Sequence, residues 1–204
     1  PSGFELDQFR SGLLRLDDYR LARTASYLAE ASQILDSIGY RIEILEGRYL
    51  LLRENEPRNF GGVYVIDLNA RTNLAIEVPA PLDERGSMAA GISLFKALEA
   101  QSLAIGGSMR TANPDGSADV LASSQTRYQV FHQIFATKEV LQVRRYTTQS
   151  ARLAGGIRKT PDEFETESPA STLWVKRRLP DGLDLDKLKS LMGGYEIHWG
   201  ELPI

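Results

Sequence analysis

The run from residue 74 to residue 107 constrains the fold of this chain more than any other feature. Residues 74–78 (LAIEV) are mainly apolar and stop at a proline, which is typical of a strand. Residues 88–100 then repeat apolar side chains at helical spacing, and residues 102–107 form a second apolar run. A strand, a helix and a strand in this order make a crossover, which places the two strands parallel in one sheet. The sequence therefore predicts an α/β fold.

The segments on either side extend this pattern. Apolar periodicity predicts helices over 16–38, 126–136 and 184–192, the last with Asp184 as N-cap, and strands over 40–45, 48–53, 63–68, 140–146 and 172–176. Residues 151–171 have no clear period and are predicted to form a long surface loop. We expect a mixed, largely parallel sheet flanked by helices, in a single domain over residues 1–204.

Composition excludes several functional classes. The formal charge of −3 offers no excess of cations for phosphates, so we expect no nucleic-acid partner. No apolar run reaches the roughly 18 residues that span a bilayer, so we expect no membrane span and a soluble domain. The absence of cysteine removes disulfides, thiolate metal sites and cysteine nucleophiles, and fits either a cytosolic or a periplasmic location.

Polar residues gather in the two loops that follow the predicted parallel strands, 79–87 and 106–119. The carboxyl ends of parallel strands meet at one edge of a sheet, where ligands commonly bind. The carboxylates of Glu77, Asp83, Glu84 and Asp119 are either an acid/base or hard-metal cluster, or solvated groups that cap turns. The solvated interpretation is favoured for Glu77 and Glu84, and both stay open for Asp83 and Asp119.

A cation and a glycine-rich segment lie in the second loop. Arg110 has two interpretations: it clamps a carboxylate or phosphate of a ligand, or it forms an ion pair with Asp83 or Asp119. The backbone N–H groups around Gly107 and Ser108 are candidates for binding an anion, although no phosphate-loop lysine follows them. The binding candidates are therefore Arg110, Ser108, Gly107 and Glu84.

The two histidines of the chain, His132 and His198, are too far apart in sequence to make a metal motif by spacing. We interpret each as an ordinary packed or surface residue. Ser108 has no neighbouring histidine in sequence, so serine catalysis is not indicated.

Three segments together carry a resemblance: 75–86 (AIEVPAPLDERG), 104–113 (AIGGSMRTAN) and 117–120 (SADV). Over roughly residues 40–132 the chain resembles a bacterial α/β hydrolytic domain related to zinc carboxypeptidases and N-formylglutamate amidohydrolases. That family pattern has a Val-Pro-His-Pro turn, a downstream Asp, a Gly-Ala-His-Arg turn and a Ser-Ala-Asp-Val segment. Its two histidines and a carboxylate would hold zinc, leaving a position for an activated water.

This chain departs from the pattern at the metal ligands. Ala80 and Met109 stand where the two histidines would be, whereas Asp83, Arg110 and Asp119 match. A methyl group and a thioether cannot replace two imidazoles. The resemblance thus implies a catalytically degenerate domain without metal or cofactor.

Because Ala80 and Met109 replace the metal ligands, the expected role is a binding or scaffolding module in envelope or exopolysaccharide machinery. The chain opens at Pro1 and ends at Ile204, so we expect a domain excised from a longer bacterial protein. The expected partner is a protein, or an anionic small molecule or polymer. One alternative is an active amide or ester hydrolase that uses Glu77, Asp83 and Asp119 with a hard metal or a carboxylate-activated water. Another is an unrelated α/β module that binds a partner.

Overall fold

The computed structural model describes residues 1–57, 59–136 and 138–145, and then 172–175, 179, 183–192 and 196–199. The chain divides into two compact units, Pro1–Arg144 and Arg145–Ile204. The first unit contains helices α1 (Gly3–Ala22), α2 (Ala25–Asp36), α3 (Ser87–Ala97) and α4 (Arg127–Phe135), and strands β1 (Tyr40–Leu45), β2 (Tyr49–Glu54), β3 (Val63–Asp67), β4 (Leu74–Val78), β5 (Ser102–Ile105) and β6 (Glu139–Gln142).

The six strands form one mixed sheet in the order β1-β2-β3-β5-β4-β6. The pairs β1/β2, β2/β3 and β3/β5 are antiparallel, whereas β4 pairs in parallel with both β5 and β6. The predicted mixed α/β sheet flanked by helices is confirmed, but the sheet is not largely parallel, because three of its five strand pairs are antiparallel. Its parallel part is the crossover β4-α3-β5 together with β6, so the carboxyl ends of three neighbouring strands share one edge.

Helices cover both faces of this sheet. On one face α3 packs against β4, where a Cβ on Gly91 would overlap the side chain of Val78. On the other face α1 and α4 enclose the main core, in which Phe9 and Tyr64 pack 5.4 Å apart between ring centroids and Tyr64 stacks on Phe131 at 4.7 Å. Residues of β4 therefore alternate between an α3 side and an α4 side.

The helix predicted over residues 16–38 is wrong in its extent. The chain forms two helices here, because Arg23 adopts a left-handed conformation (φ 56°) between them and its N–H bonds back to the Tyr19 carbonyl. The first helix begins at Gly3, where Ser2 and Glu5 form a reciprocal capping box. Gly12 lets the two helices meet, since a Cβ there would lie 2.6 Å from Leu35 Cγ.

The second unit contains strands β7 (Thr172–Val175) and β8 (Glu196–Trp199), which pair in parallel, and helix α5 (Leu185–Met192). The predicted N-cap of α5 is confirmed, because Asp184 Oδ1 accepts the N–H of Lys187 at 2.9 Å. Leu183 and Leu188 are buried. Strand β8 was not predicted, and the loop predicted over 151–171 lies outside the described residues.

Candidate functional site

A row of cross-strand neighbours leads from the apolar core to a carboxylate. Tyr64 of β3 pairs with Ala104 of β5, Ala104 pairs with Glu77 of β4, and Glu77 pairs with Gln142 of β6. Neighbours in register project from the same face of a sheet. The row therefore places Glu77 on the α4 side, next to the small side chain of Ala104.

Glu77 is buried, with 1% of its surface exposed, and both of its carboxylate oxygens are engaged. Oε1 lies 2.6 Å from Nδ1 of His132 on α4, and Oε2 accepts a hydrogen bond from Nε2 of Gln142 at 3.0 Å. The interpretation of Glu77 as a solvated loop carboxylate is wrong. It lies on a strand whose five residues are all buried, and the two polar partners compensate its desolvation.

His132 carries an oriented imidazole ring whose side chain is 39% exposed. The hydrogen bond to Glu77 raises the pKa of His132 from its usual value, an effect that partial burial opposes. When the ring is neutral, its bond to a carboxylate oxygen requires the proton on Nδ1, so Nε2 keeps its lone pair. A buried carboxylate behind a histidine is the arrangement that orients a general base in many enzymes.

Tyr128 lies one turn before His132 on α4, at the i, i+4 spacing that places two side chains on one helix face. It is 2% exposed, and its hydroxyl is buried without a hydrogen-bond partner among the described residues. Burial raises the pKa of Tyr128 well above its usual range, and the negative charge of Glu77 is the next cause. The hydroxyl thus stays protonated beside the carboxylate.

Glu84 is also buried and belongs to a second polar contact. Its Oε1 accepts hydrogen bonds from Nε and the terminal nitrogen of Arg144, at 2.8 and 2.7 Å. Arg144 lies two residues after the end of β6, so this ion pair joins loop 79–87 to the segment that follows β6. The interpretation of Glu84 as a solvated carboxylate is wrong, because its charge is neutralised inside the protein.

Arg110, Asp83 and Asp119 join the two predicted site loops. The backbone N–H of Arg110 donates to Asp83 Oδ2 at 2.9 Å, and its guanidinium donates to Asp119 Oδ2 from two nitrogens, each at 2.9 Å. The other oxygen of Asp119 accepts the N–H of Leu121 at 3.0 Å. Of the two interpretations of Arg110, this geometry favours the ion pair.

The glycines of the second loop permit close backbone contacts. A Cβ on Gly107 would overlap the backbone of Phe60 and Gly62, and one on Gly106 would overlap the carbonyl of Pro79. The Ser108 hydroxyl donates to the carbonyl of Ala118 at 3.2 Å. These contacts account for the glycines by packing, and they support the loop without a bound anion.

The two positions matched to metal-binding histidines differ in their surroundings. Ala80 is fully buried, whereas Met109 is 49% exposed. Across the described parts of the chain, no three His, Cys, Asp or Glu side chains are grouped so that they could hold a metal ion. Glu77 bonds to His132 on the α4 side, while Asp83 and Asp119 bond to Arg110.

Sequence reasoning missed His132, Gln142, Tyr128 and Arg144 as members of this site. One signal was present: Glu77 is the charged residue of an otherwise apolar strand that leads into a predicted helix, so it needed a polar partner inside. His132 interrupts the apolar face of a predicted helix. Which of several polar residues would meet Glu77 depends on the parallel pairing with β6, and the sequence does not specify that pairing.

Comparison of this chain with protein-family models, with curated proteins and with solved structures yields no match. None of the helices within the described ranges has the length and apolar character needed to cross a bilayer.

Proposed function

We propose that this chain is a hydrolase-like domain without metal chemistry that binds an apolar segment of a protein partner through loops 79–87 and 106–119. The observation that carries the proposal is the ion pair between Arg110 and Asp119, supported by Asp83. The ion pair engages Asp119, and the bond from the Arg110 N–H engages Asp83 and fixes the two loops to each other, so both loop carboxylates that a metal would need already have donors.

The loss of metal chemistry follows from the donor groups. A thioether at Met109 and a methyl group at Ala80 provide no ligand that zinc prefers, and the remaining carboxylates already have donors. A metal would have to displace Arg110 from Asp119. The cost of separating that pair would reduce any affinity for the ion.

The choice of an apolar protein segment follows from what the loops expose. Leu82, Met88 and Met109 have large exposed fractions, and the bond from the Arg110 N–H to Asp83 brings the Met109 segment to the loop that carries Leu82. Methionine adapts its shape to varied apolar partners. An anionic ligand is less well supported, because it would compete with Asp119 for Arg110. Loops already fixed by hydrogen bonds lose little entropy on binding.

The active-hydrolase alternative needs Glu77, Asp83 and Asp119 to act on one metal or water. The three carboxylates have separate partners, on α4 and β6 for Glu77 and in the second loop for the two aspartates. No contact in the described chain favours this alternative over binding.

A metal measurement tests the first half of the proposal. Purified protein is dialysed with zinc, magnesium or calcium, and bound metal is measured by elemental analysis, with Asp83→Ala and Asp119→Ala alongside. We expect substoichiometric metal in all three proteins. Stoichiometric metal in the native chain that is lost in both variants would overturn the proposal.

Selection from a random peptide phage library tests the second half. The native chain is the bait, and Met109→Asp with Leu82→Asp is the matched control, because both changes are at exposed positions and should leave the fold intact. We expect apolar peptides whose Kd is at least tenfold weaker for the control, since a charge in an apolar contact costs well over 1.4 kcal/mol, the equivalent of a factor of ten. Equal binding to both proteins, or no enriched peptide, contradicts the proposal.

A further inference from the structure

A second polar cluster is centred on Glu77 and His132 under helix α4, on the opposite side of β4 from α3. Gly91 of α3 faces Val78, whereas the adjacent residue Glu77 projects to α4 and His132. Its members are Glu77, Tyr128, His132, Gln142 and the pair Glu84–Arg144. The proposed binding of a partner makes no use of these side chains.

We propose that His132 is the general base of a metal-independent site that hydrolyses activated carboxylic esters, with Glu77 as its positioning residue. The 2.6 Å contact fixes the ring and directs the proton to Nδ1, and the 39% exposure of the side chain gives water and substrate access to the imidazole. The imidazole ring of His132 makes no second hydrogen bond within the described residues, so Nε2 is available to accept a proton.

The reaction balances without a metal or a redox partner. Nε2 of His132 accepts a proton from a water molecule while the water oxygen bonds to the acyl carbon of the ester. The carbonyl then re-forms as the bond to the leaving oxygen breaks, and the imidazolium returns the proton to that oxygen. The products are a carboxylic acid and an alcohol or phenol.

The substrate class follows from the strength of the catalyst. A single imidazole base activates water far less than a zinc-bound hydroxide does. An amide needs strong stabilisation of its oxyanion and protonation of a poor leaving group, as the catalytic triad enzymes provide. An ester with a phenol-like leaving group needs neither to the same degree, so it fits this site better.

The charged and polar groups around His132 support its role as the base and the role of Glu77 as its positioning residue. Glu77 of β4 contacts the ring and also accepts a hydrogen bond from Gln142 of β6. Tyr128 lies one turn before His132 on α4, and Glu84 is neutralised by Arg144. Burial of Glu77 strengthens its electrostatic effect on the histidine, because water screens it little. Tyr128 keeps its proton and therefore adds no negative charge beside the base.

Hydrolysis of p-nitrophenyl acetate by the full chain tests the proposal. We expect the second-order rate constant to fall at least tenfold in His132→Gln, and to stay within twofold in His198→Gln, which removes the other histidine of the chain. Circular dichroism checks that each variant is folded. An unchanged rate in folded His132→Gln overturns the proposal.

The pH profile of the hydrolysis rate distinguishes a positioning role of Glu77 from a merely structural one. The rate should rise with pH as His132 loses its proton, and Glu77→Gln should both lower the rate and move the midpoint of this rise to lower pH, because Glu77 raises the pKa of His132. A midpoint that stays in place in folded Glu77→Gln contradicts the assigned role. If that variant does not fold, ¹⁵N NMR of the native protein tests which nitrogen of neutral His132 carries the proton. A protonated Nε2 with an unprotonated Nδ1 would overturn the proposal.

Discussion

At the scale of single residues, one carboxylate joins three elements. The side chain of Glu77 bonds to His132 on α4 and Gln142 on β6, and its carbonyl accepts the N–H of Val143 at 2.7 Å. A buried carboxylate stabilises a fold only while its donors remain. The protonation state of His132 therefore affects stability as well as any chemistry at the ring.

We expect the stabilising effect of His132 to depend on pH. Its pKa in the folded protein is raised, so its contribution is fully present below the unfolded pKa of about 6.5 and is lost as pH rises through the folded pKa. His132→Gln should lower the free energy of unfolding by about 1 kcal/mol near pH 5.5, since the pair is partly solvated, and by less near pH 9. Urea unfolding at both pH values measures this difference. The same loss at both, or a pH dependence that persists in the Glu77→Gln background, would contradict the prediction.

Tyr128→Phe should be close to neutral for stability. The hydroxyl is buried without a partner in the described structure, so its removal abolishes a desolvated polar group while the ring stays packed. We expect the free energy of unfolding to stay within about 1 kcal/mol of the native value or to rise. A loss above about 2 kcal/mol in urea denaturation would show that the hydroxyl has a strong bond in solution.

At the scale of elements, close backbone contacts hold the loops beside the parallel strands. Gly107 lies against the backbone before β3, and Gly106 lies against Pro79 at the end of β4. The second loop is therefore positioned by both neighbouring segments. The ion pair of Arg110 with Asp119 adds a side-chain connection within the same loop.

Gly107→Ala should destabilise the first unit by about 1–3 kcal/mol, the usual cost of forcing extra atoms into a packed site. The added methyl would overlap the backbone of Phe60 and Gly62, which cannot yield as a flexible side chain does. Gly3→Ala is the matched control, because a Cβ there has no atom within 4 Å and alanine favours the helix. Thermal unfolding of both variants tests this, and equal midpoints would contradict it.

The sequence predicted the regular elements well and their interruptions poorly. The crossover β4-α3-β5 followed from apolar runs bounded by Pro79 and Gly106, and the structure confirms it. The break at Arg23 was missed, because a left-handed non-glycine residue leaves no signal in hydrophobic periodicity. The helix start at Gly3 was readable, since Ser2 and Glu5 have capping-box spacing.

The candidate site was predicted in its loops and missed in its deepest contact. The structure brings Arg110 to Asp83 and Asp119, as the ion-pair interpretation of Arg110 required. This contact was predictable because loops that follow neighbouring parallel strands lie at the same edge of the sheet. The contact of Glu77 with His132 joins residues 55 positions apart. It depends on how α4 lies across the sheet, and residue types alone do not determine that placement.

At the scale of the whole molecule, the six-stranded sheet and every site contact described above lie in Pro1–Arg144. We expect a fragment of residues 1–145 to unfold cooperatively in urea, because the main core cluster and the ion pairs of the site are formed by its own residues. Far-UV circular dichroism gives the transition. A fragment without a cooperative transition would show that the sheet needs the rest of the chain.

The prediction of one domain over residues 1–204 can be tested with natural probes. Both tryptophans, Trp174 and Trp199, belong to the second unit, so their fluorescence reports on that unit. Far-UV circular dichroism of the full chain includes the signal of helices α1 to α4 of the first unit. One cooperative domain requires the two transitions to coincide, whereas separate midpoints would show that the units unfold independently.

The burial of Ala80 also bears on whether a zinc site could be built into this chain. Such a site would need histidine at both Ala80 and Met109, and it would need Asp119 freed from Arg110. Histidine at the exposed Met109 position would be tolerated, but an imidazole at fully buried Ala80 would overpack its surroundings and cost about 1–3 kcal/mol. Each single substitution is therefore neutral or harmful before any metal can bind, so a zinc site is not reached by steps that each improve the protein.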